Sequence, residues 1–223
     1  MSRIPATFLV LFCALVLLRA ADTNAVLDAW LSGQTNFATW SADFVQTRSL
    51  RALSQPLVTT GQVWFAKPNS FRWELGRPAQ TVAVRDADRL EVIYPKLKRV
   101  ERYSLAEGKS GPLGEALGLL DAGFPSSRAD FDARFRLLSL QATNGTWLLE
   151  LQPTSASARR MMPSLRVALA TNDFSLVANE LTFPDGSRMR NDFDHAKLNT
   201  QFAPDIFRPA VGAGFNVVEP QTR

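Results

Sequence analysis

The only histidine, His195, stands in "DFDHAKLN", preceded by Asp192 and Asp194. An imidazole beside carboxylates could serve general acid–base catalysis, and a base beside a nucleophile could serve acyl transfer. The setting argues against both. The stretch is polar and charged, and Asp192 and Asp194 fall on one face of a strand. Such a group reads as solvated surface. The only cysteine, Cys13, lies in an apolar leader, so cysteine nucleophiles and cysteine metal sites drop out. No zinc spacing, phosphate-cradling loop, dinucleotide fingerprint or nucleophile elbow occurs. The expectation is a protein that is not an enzyme, with no catalytic residues, no metal and no cofactor.

The other candidate chemistry is apolar. In "KPNSFRWEL", Phe71, Trp73 and Leu75 recur at every second position, with Arg72 and Glu74 between them. As a strand, this segment turns two aromatics and a leucine to one side and two charges to the other. The chain holds 15 Phe and 5 Trp. That stock serves a solid β-core or the wall of a ligand cavity, and the two are not exclusive.

The elements that would carry this face follow from periodicity. Val26, Leu27, Trp30 and Leu31 form a helical stripe that Gly33 ends. Period two then takes over: Trp40, Ala42 and Phe44; Val63 and Phe65, with Lys67 in phase; Val82 and Val84; Leu90, Val92 and Tyr94. Short turn-like links join these runs. "GKSGPLGEALGLLDAGFP" spaces Leu113, Leu117 and Leu120 as a helix, but a glycine-rich one that is marginal alone. Strands resume at "FRLLSLQAT", where Asn144-Gly145 marks a hairpin. "PTSASARRMMP" reads as a loop. Roughly ten or eleven strands and two or three helices fit one curved antiparallel sheet. Helices with one apolar stripe each would cover its concave face and leave the other face to water.

Residues 1–21 carry Arg3, an apolar run from Ile4 to Leu18, and the small pair Ala20-Ala21. This reads as a signal peptide cut near residue 20–21, leaving a single exported domain over 22–223. A mature chain without cysteine suits an oxidising compartment. The net charge is +4, of which Arg3 and Arg19 supply two. "RDADR" and "KLKRVER" are mixed or short, so nucleic acid is not the expected partner.

"ADFVQTR", "GQVWFAKPNSFRWEL", "PAQTVAVRDADRLEVIYPKLKRV" and "LTFPDGSRMRNDFDHAKLNTQFAPDIFRP" together resemble the LolA-type periplasmic carriers of outer-membrane lipoproteins, over about residues 25–218. The resemblance implies an incomplete, half-open antiparallel β-barrel with helices over its concave face. It implies a monomeric periplasmic shuttle that shelters the acyl chains of lipoproteins. Its partners would be the acylated cargo, an inner-membrane ABC-type release complex and an outer-membrane acceptor. Phe71 and Trp73 match positions lining the family's cavity. Leu113 and Leu117 fall where the lid helix begins. Lys67 stands where better-studied members carry an arginine that ties the lid to the sheet and joins in cargo hand-over. Lysine keeps the charge but not the planar fork. The inward wall is then expected to comprise Val63, Phe65, Phe71, Trp73, Leu75, Val82, Val84, Leu90, Val92 and Tyr94. Relatives of the same fold that carry other lipids or lipid-linked products, or that sense envelope lipids, are the alternatives.

Overall fold

The computed structural model describes residues 23–86, 89–105 and 123–220. The leader and the Leu113–Leu117 segment lie outside the described residues. Residues 23–33 form helix α1, extended by a 3-10 turn at Gln34–Asn36. Leu27, Trp30 and Leu31, at helical spacing, are its buried stripe.

Six strands follow: β1 (Thr39–Ser49), β2 (Leu57–Ala66), β3 (Ser70–Leu75), β4 (Thr81–Asp86), β5 (Arg89–Tyr94) and β6 (Arg99–Ser104). A short helix, α2 (Arg128–Arg134), leads into β7 (Phe135–Thr143) and β8 (Thr146–Pro153). Ser127 caps α2 through its hydroxyl. Helix α3 (Ala156–Met161) precedes β9 (Ser164–Ala170), β10 (Leu176–Thr182), β11 (Arg188–Leu198) and a short β12 (Asn216–Val218).

All twelve strands belong to one sheet, ordered β12-β6-β5-β4-β3-β2-β1-β11-β10-β9-β8-β7. Every pair is antiparallel except β12 on β6. The end strands β12 and β7 do not meet, so the sheet is an open, unclosed barrel. The main core shows how it bends. Phe65 and Phe71 from one half and Leu149, Leu165 and Val167 from the other share a single cluster with Trp30 and Phe131 of the helices. Only a concave sheet brings those strands to one core. The Asn144-Gly145 hairpin forms as expected, both residues having positive φ.

Three expectations are corrected. The described residues form twelve strands where roughly ten or eleven are expected. The "PTSASARRMMP" segment contains a turn and a half of helix, with the Ser155 hydroxyl capping it by accepting from the Ala158 N–H. The outer face is not left wholly to water. Val82, Val84, Ile93 and Val100 form a second buried cluster there, covered by Phe207, Val211 and Phe215 of the C-terminal segment. Arg72 on that face fastens the segment by donating to the Ile206 carbonyl at 3.1 Å.

Candidate functional site: an aromatic cavity on the concave face

Register decides which side chains reach the concave side. β3 pairs with β2 so that Phe71 lies opposite Phe65 and Trp73 opposite Val63. It pairs with β4 so that Trp73 lies opposite Ala83, while Val82 and Val84 face Glu74 and Arg72. Val82 and Val84 therefore project to the outer face and are not part of the inward wall. In "TVAVR" the inner phase is Thr81, Ala83 and Arg85, and the larger apolar residues of the other phase draw the inward reading. The pairing gives the inner position to the smaller Ala83, which accommodates the Trp73 indole.

Between the concave face and the elements above it lies a cavity of about 200 Å³. Trp40, Val63, Phe65, Phe71, Trp73 and Phe193 line it, and Leu176, Leu181 and Met189 complete its apolar wall. Four of the expected wall residues thus border the space: Val63, Phe65, Phe71 and Trp73. Leu75, Leu90 and Val92 share the inner face and pack with the main core, but away from the cavity. Tyr94 is on the same face at the β5–β6 edge, opposite Arg99. Its phenol pKa is raised by burial and by the nearby Glu101 carboxylate.

The rings form a connected array. Phe44 and Trp73 are 4.2 Å apart between centroids. Phe193 meets Trp40 edge-on at 5.3 Å. Phe124 enters as a plug: it stacks on Phe65 at 4.5 Å and packs against Trp40 at 5.0 Å. Gly61 explains the "Gly-x-x-Trp" stretch. A Cβ there would lie 2.3 Å from the Phe44 ring and 2.2 Å from the Glu74 carbonyl, so only glycine lets Phe44 lie across β2.

One end of the cavity is polar. The Gln46 amide donates to Asn191 at 3.0 Å, and Asn191 donates to Asn179 at 2.7 Å, a row crossing β1, β11 and β10. Gln46 and Asn191 are buried, and all three line the space. The sequence reading missed this row, and it also missed Phe124 and Phe193. Gln46 offered a signal, because it is in phase with Trp40, Ala42 and Phe44 on an otherwise apolar face.

Lys67 lies at the foot of β2. Its ammonium donates to the Gln34 carbonyl at the end of α1 and lies 4.2 Å over the Phe37 ring. A cation suits a helix C-terminus, where the dipole is negative. Burial pushes its pKa below the ordinary lysine value. Lys67 thus ties the sheet to the N-terminal helix. Any tie to Leu113 or Leu117 falls outside the described residues.

His195 is on the outer side, at a bulge where β11 slips against β1, with φ of 52°. Its Nδ1 is 3.3 Å from an Asp43 carboxylate oxygen, and its side chain is exposed. Asp43 also accepts from Gln62 and Arg77, and the Gln62 hydrogen bond leads in lowering its pKa. Asp192 is held by Arg190. Among the described residues there is no group of three metal-ligating side chains, and no described helix is long and apolar enough to cross a membrane.

A protein of Chromobacterium violaceum named outer-membrane lipoprotein carrier protein is 26% identical over 198 residues, covering 89% of this chain and 88% of that one. One of the same name from Nitrosospira multiformis is 25% identical over 211 residues, covering 93% and 96%. A crystal structure of an uncharacterized conserved protein from Thermus thermophilus matches the fold with a TM-score of 0.53 at 10% identity, over 89% of this chain and 99% of that one. The family model for "Outer membrane lipoprotein carrier protein LolA" matches residues 35–210, so the open barrel and its aromatic cavity are those of a member of the LolA family.

Proposed function

We propose that the protein is a periplasmic carrier that shelters acyl chains of lipoproteins in the concave-face cavity and moves them between the inner and outer membranes. The observation that carries this reading is an apolar space left unfilled in the middle of an aromatic array. A core built only for stability closes such gaps, because voids forfeit packing energy. The two carrier-named relatives, matched over most of both chains, support the same reading.

The chemistry asked of the chain is physical, with no covalent step. Each methylene taken from water gains about 0.8 kcal/mol. A carrier must still hold cargo less tightly than the destination membrane does. The size of the cavity bears on this. About 200 Å³ is below the usual range for ligand pockets, roughly 300–1,000 Å³. A lipid with several chains needs the space to widen. Phe124, which among the described residues packs by its ring on Phe65, Trp40 and Phe37, is the side chain whose displacement would widen it. Displacing it costs packing energy, and that cost weakens the hold on cargo enough for release. In this reading an ATP-driven inner-membrane complex loads the carrier and an outer-membrane acceptor or the membrane itself unloads it.

The test is native mass spectrometry and lipid extraction of protein purified from its own envelope. A bound triacylated lipoprotein supports the proposal. A free lipid in its place would assign the cavity to a different cargo. Protein that emerges empty and takes up no fluorescent acyl probe would end the carrier reading.

A further inference from the structure

The loop between β1 and β2 has an unusual surface. Residues 51–58 are all exposed. Within them Leu53 and Leu57 are each 46% exposed and Val58 is 64% exposed. Single exposed apolar residues are ordinary, but three large ones within six positions, with Leu57 and Val58 on opposite faces of β2, make the tip apolar on both sides. Val45 adds to Val58 on the outer face, two residues from the Thr47 that pairs with Val58.

The geometry pushes this tip outward. The last β2–β3 pair is Gly61 with Leu75, whereas β2 continues on β1 to Leu57. Leu57 and Val58 therefore project beyond β3, and the β1–β2 tip extends past the neighbouring strand by about four residues, some 13 Å at strand rise.

The charge around the tip is mostly of one sign. Arg48 pairs across from Leu57, and Arg188 lies across from Ser49 on β11. Arg51 is in the tip itself. Arg190, next along, is neutralised by Asp192. The nearby acid is Asp185, whose carboxylate is taken up by the Ser187 N–H and hydroxyl, with Arg51 a minor contributor to its lowered pKa. Three guanidiniums around three exposed aliphatic side chains complement an apolar layer edged with phosphates. That combination fits a bilayer better than an acidic protein, which would leave the aliphatic residues without a counterpart.

We propose that the β1–β2 tip is a membrane-docking element, seating Leu53, Leu57 and Val58 in the interfacial layer of an anionic bilayer while Arg48, Arg51 and Arg188 hold lipid phosphates. The placement has a use. Arg48 and Leu57 are in register with Met189, which lines the cavity. The tip thus stands at the cavity's polar end and would bring that end to the membrane surface.

The test is co-sedimentation of the mature chain with vesicles of phosphatidylcholine alone and of phosphatidylcholine with phosphatidylglycerol. Wild type is expected to sediment with the anionic vesicles and to be released by salt. Arg48→Gln should weaken binding about fivefold. The triple change Leu53→Ser, Leu57→Ser and Val58→Ser should abolish sedimentation while leaving the circular dichroism spectrum and acyl-probe binding intact. Sedimentation independent of phosphatidylglycerol, or unchanged in the triple serine variant, overturns the proposal. Because probe binding is read separately, failure here is distinct from failure of the carrier reading.

Discussion

Across β2–β6 the two faces of the sheet do different things: the outer cluster comes from β4, β5 and β6, the cavity wall there from β2 and β3, and β4 serves both. On the outer face Val82, Val84, Ile93 and Val100 interlock under Phe207, Val211 and Phe215, and Val100 is wholly buried. On the inner face Phe65, Phe71 and Trp73 surround a space of about 200 Å³. The contrast follows from side-chain shape. β-Branched residues on a pleated surface pack closely against one another. Flat rings meeting edge-on and tilted leave wedges between them. Apolar residues alone therefore do not distinguish a core from a pocket. What covers the face, and the shapes that meet there, decide it.

The sharpest way to break this comparison places a carboxylate on each face. Val100→Asp puts a charge in a closed cluster with no partner, and should cost more than about 4 kcal/mol, enough to unfold much of the population. Trp73→Glu puts the same charge beside a cavity, where water can enter. It should eliminate acyl-probe binding while costing roughly half as much stability. Urea unfolding followed by circular dichroism compares the two. Equal destabilisation would mean that the inner face is as solid as the outer.

A smaller effect tests the array itself. Gly61→Ala forces a methyl group against the Phe44 ring and the Glu74 carbonyl. Overpacking of this kind costs about 1–3 kcal/mol. It should also tilt Phe44 off Trp73, so the probe's affinity falls along with the urea midpoint. An unchanged midpoint would show that β2 can shift away from β1 without loss.

Much of this was legible beforehand. Period-two runs gave the strands, the Asn144-Gly145 pair gave a hairpin, and the stripe of Leu27, Trp30 and Leu31 gave the covering helix. The inward direction of Phe71 and Trp73 was legible because charges alternate with them. Val82 and Val84 mislead because theirs is the more apolar phase of the first five residues of β4, Thr81, Ala83 and Arg85 being the other; only pairing to β3 fixes which way they point. The outer cluster was hidden for a related reason. Phe207, Val211 and Phe215 lie in a segment with little regular structure, where periodicity carries no signal. Phe124 could not be singled out because its role depends on contacts with Phe65 and Trp40, far away in sequence. The amide row required knowing that Gln46, Asn179 and Asn191 sit at one level of three adjacent strands.

Phe124→Ala probes how nearly the inner face resembles the outer. Removing the plug forfeits a half-buried ring, for about 2 kcal/mol of stability. The vacated space joins the cavity, so a single-chain acyl probe should bind several-fold more tightly. Isothermal calorimetry with a fluorescent fatty acid reads the affinity, and thermal melts read the stability. Loss of both together would assign Phe124 to the wall and not to the gate.

The smallest expected effect is at Lys67, which joins the inner face to α1. Its ammonium makes one hydrogen bond to the Gln34 carbonyl and one contact with Phe37, and the cost of burying it offsets part of both. Lys67→Leu should therefore cost only about 1 kcal/mol. The pH dependence separates charge from packing. Burial lowers the folded-state pKa, so in the window just below the ordinary lysine value the folded state binds fewer protons than the unfolded one. Stability of the wild type relative to the leucine variant should then rise with pH through that window. Both tyrosines titrate at high pH but are present in both proteins, so they cancel in the difference. A flat difference would place Lys67 in water, and its bond to α1 would then do little to hold the helix over the cavity.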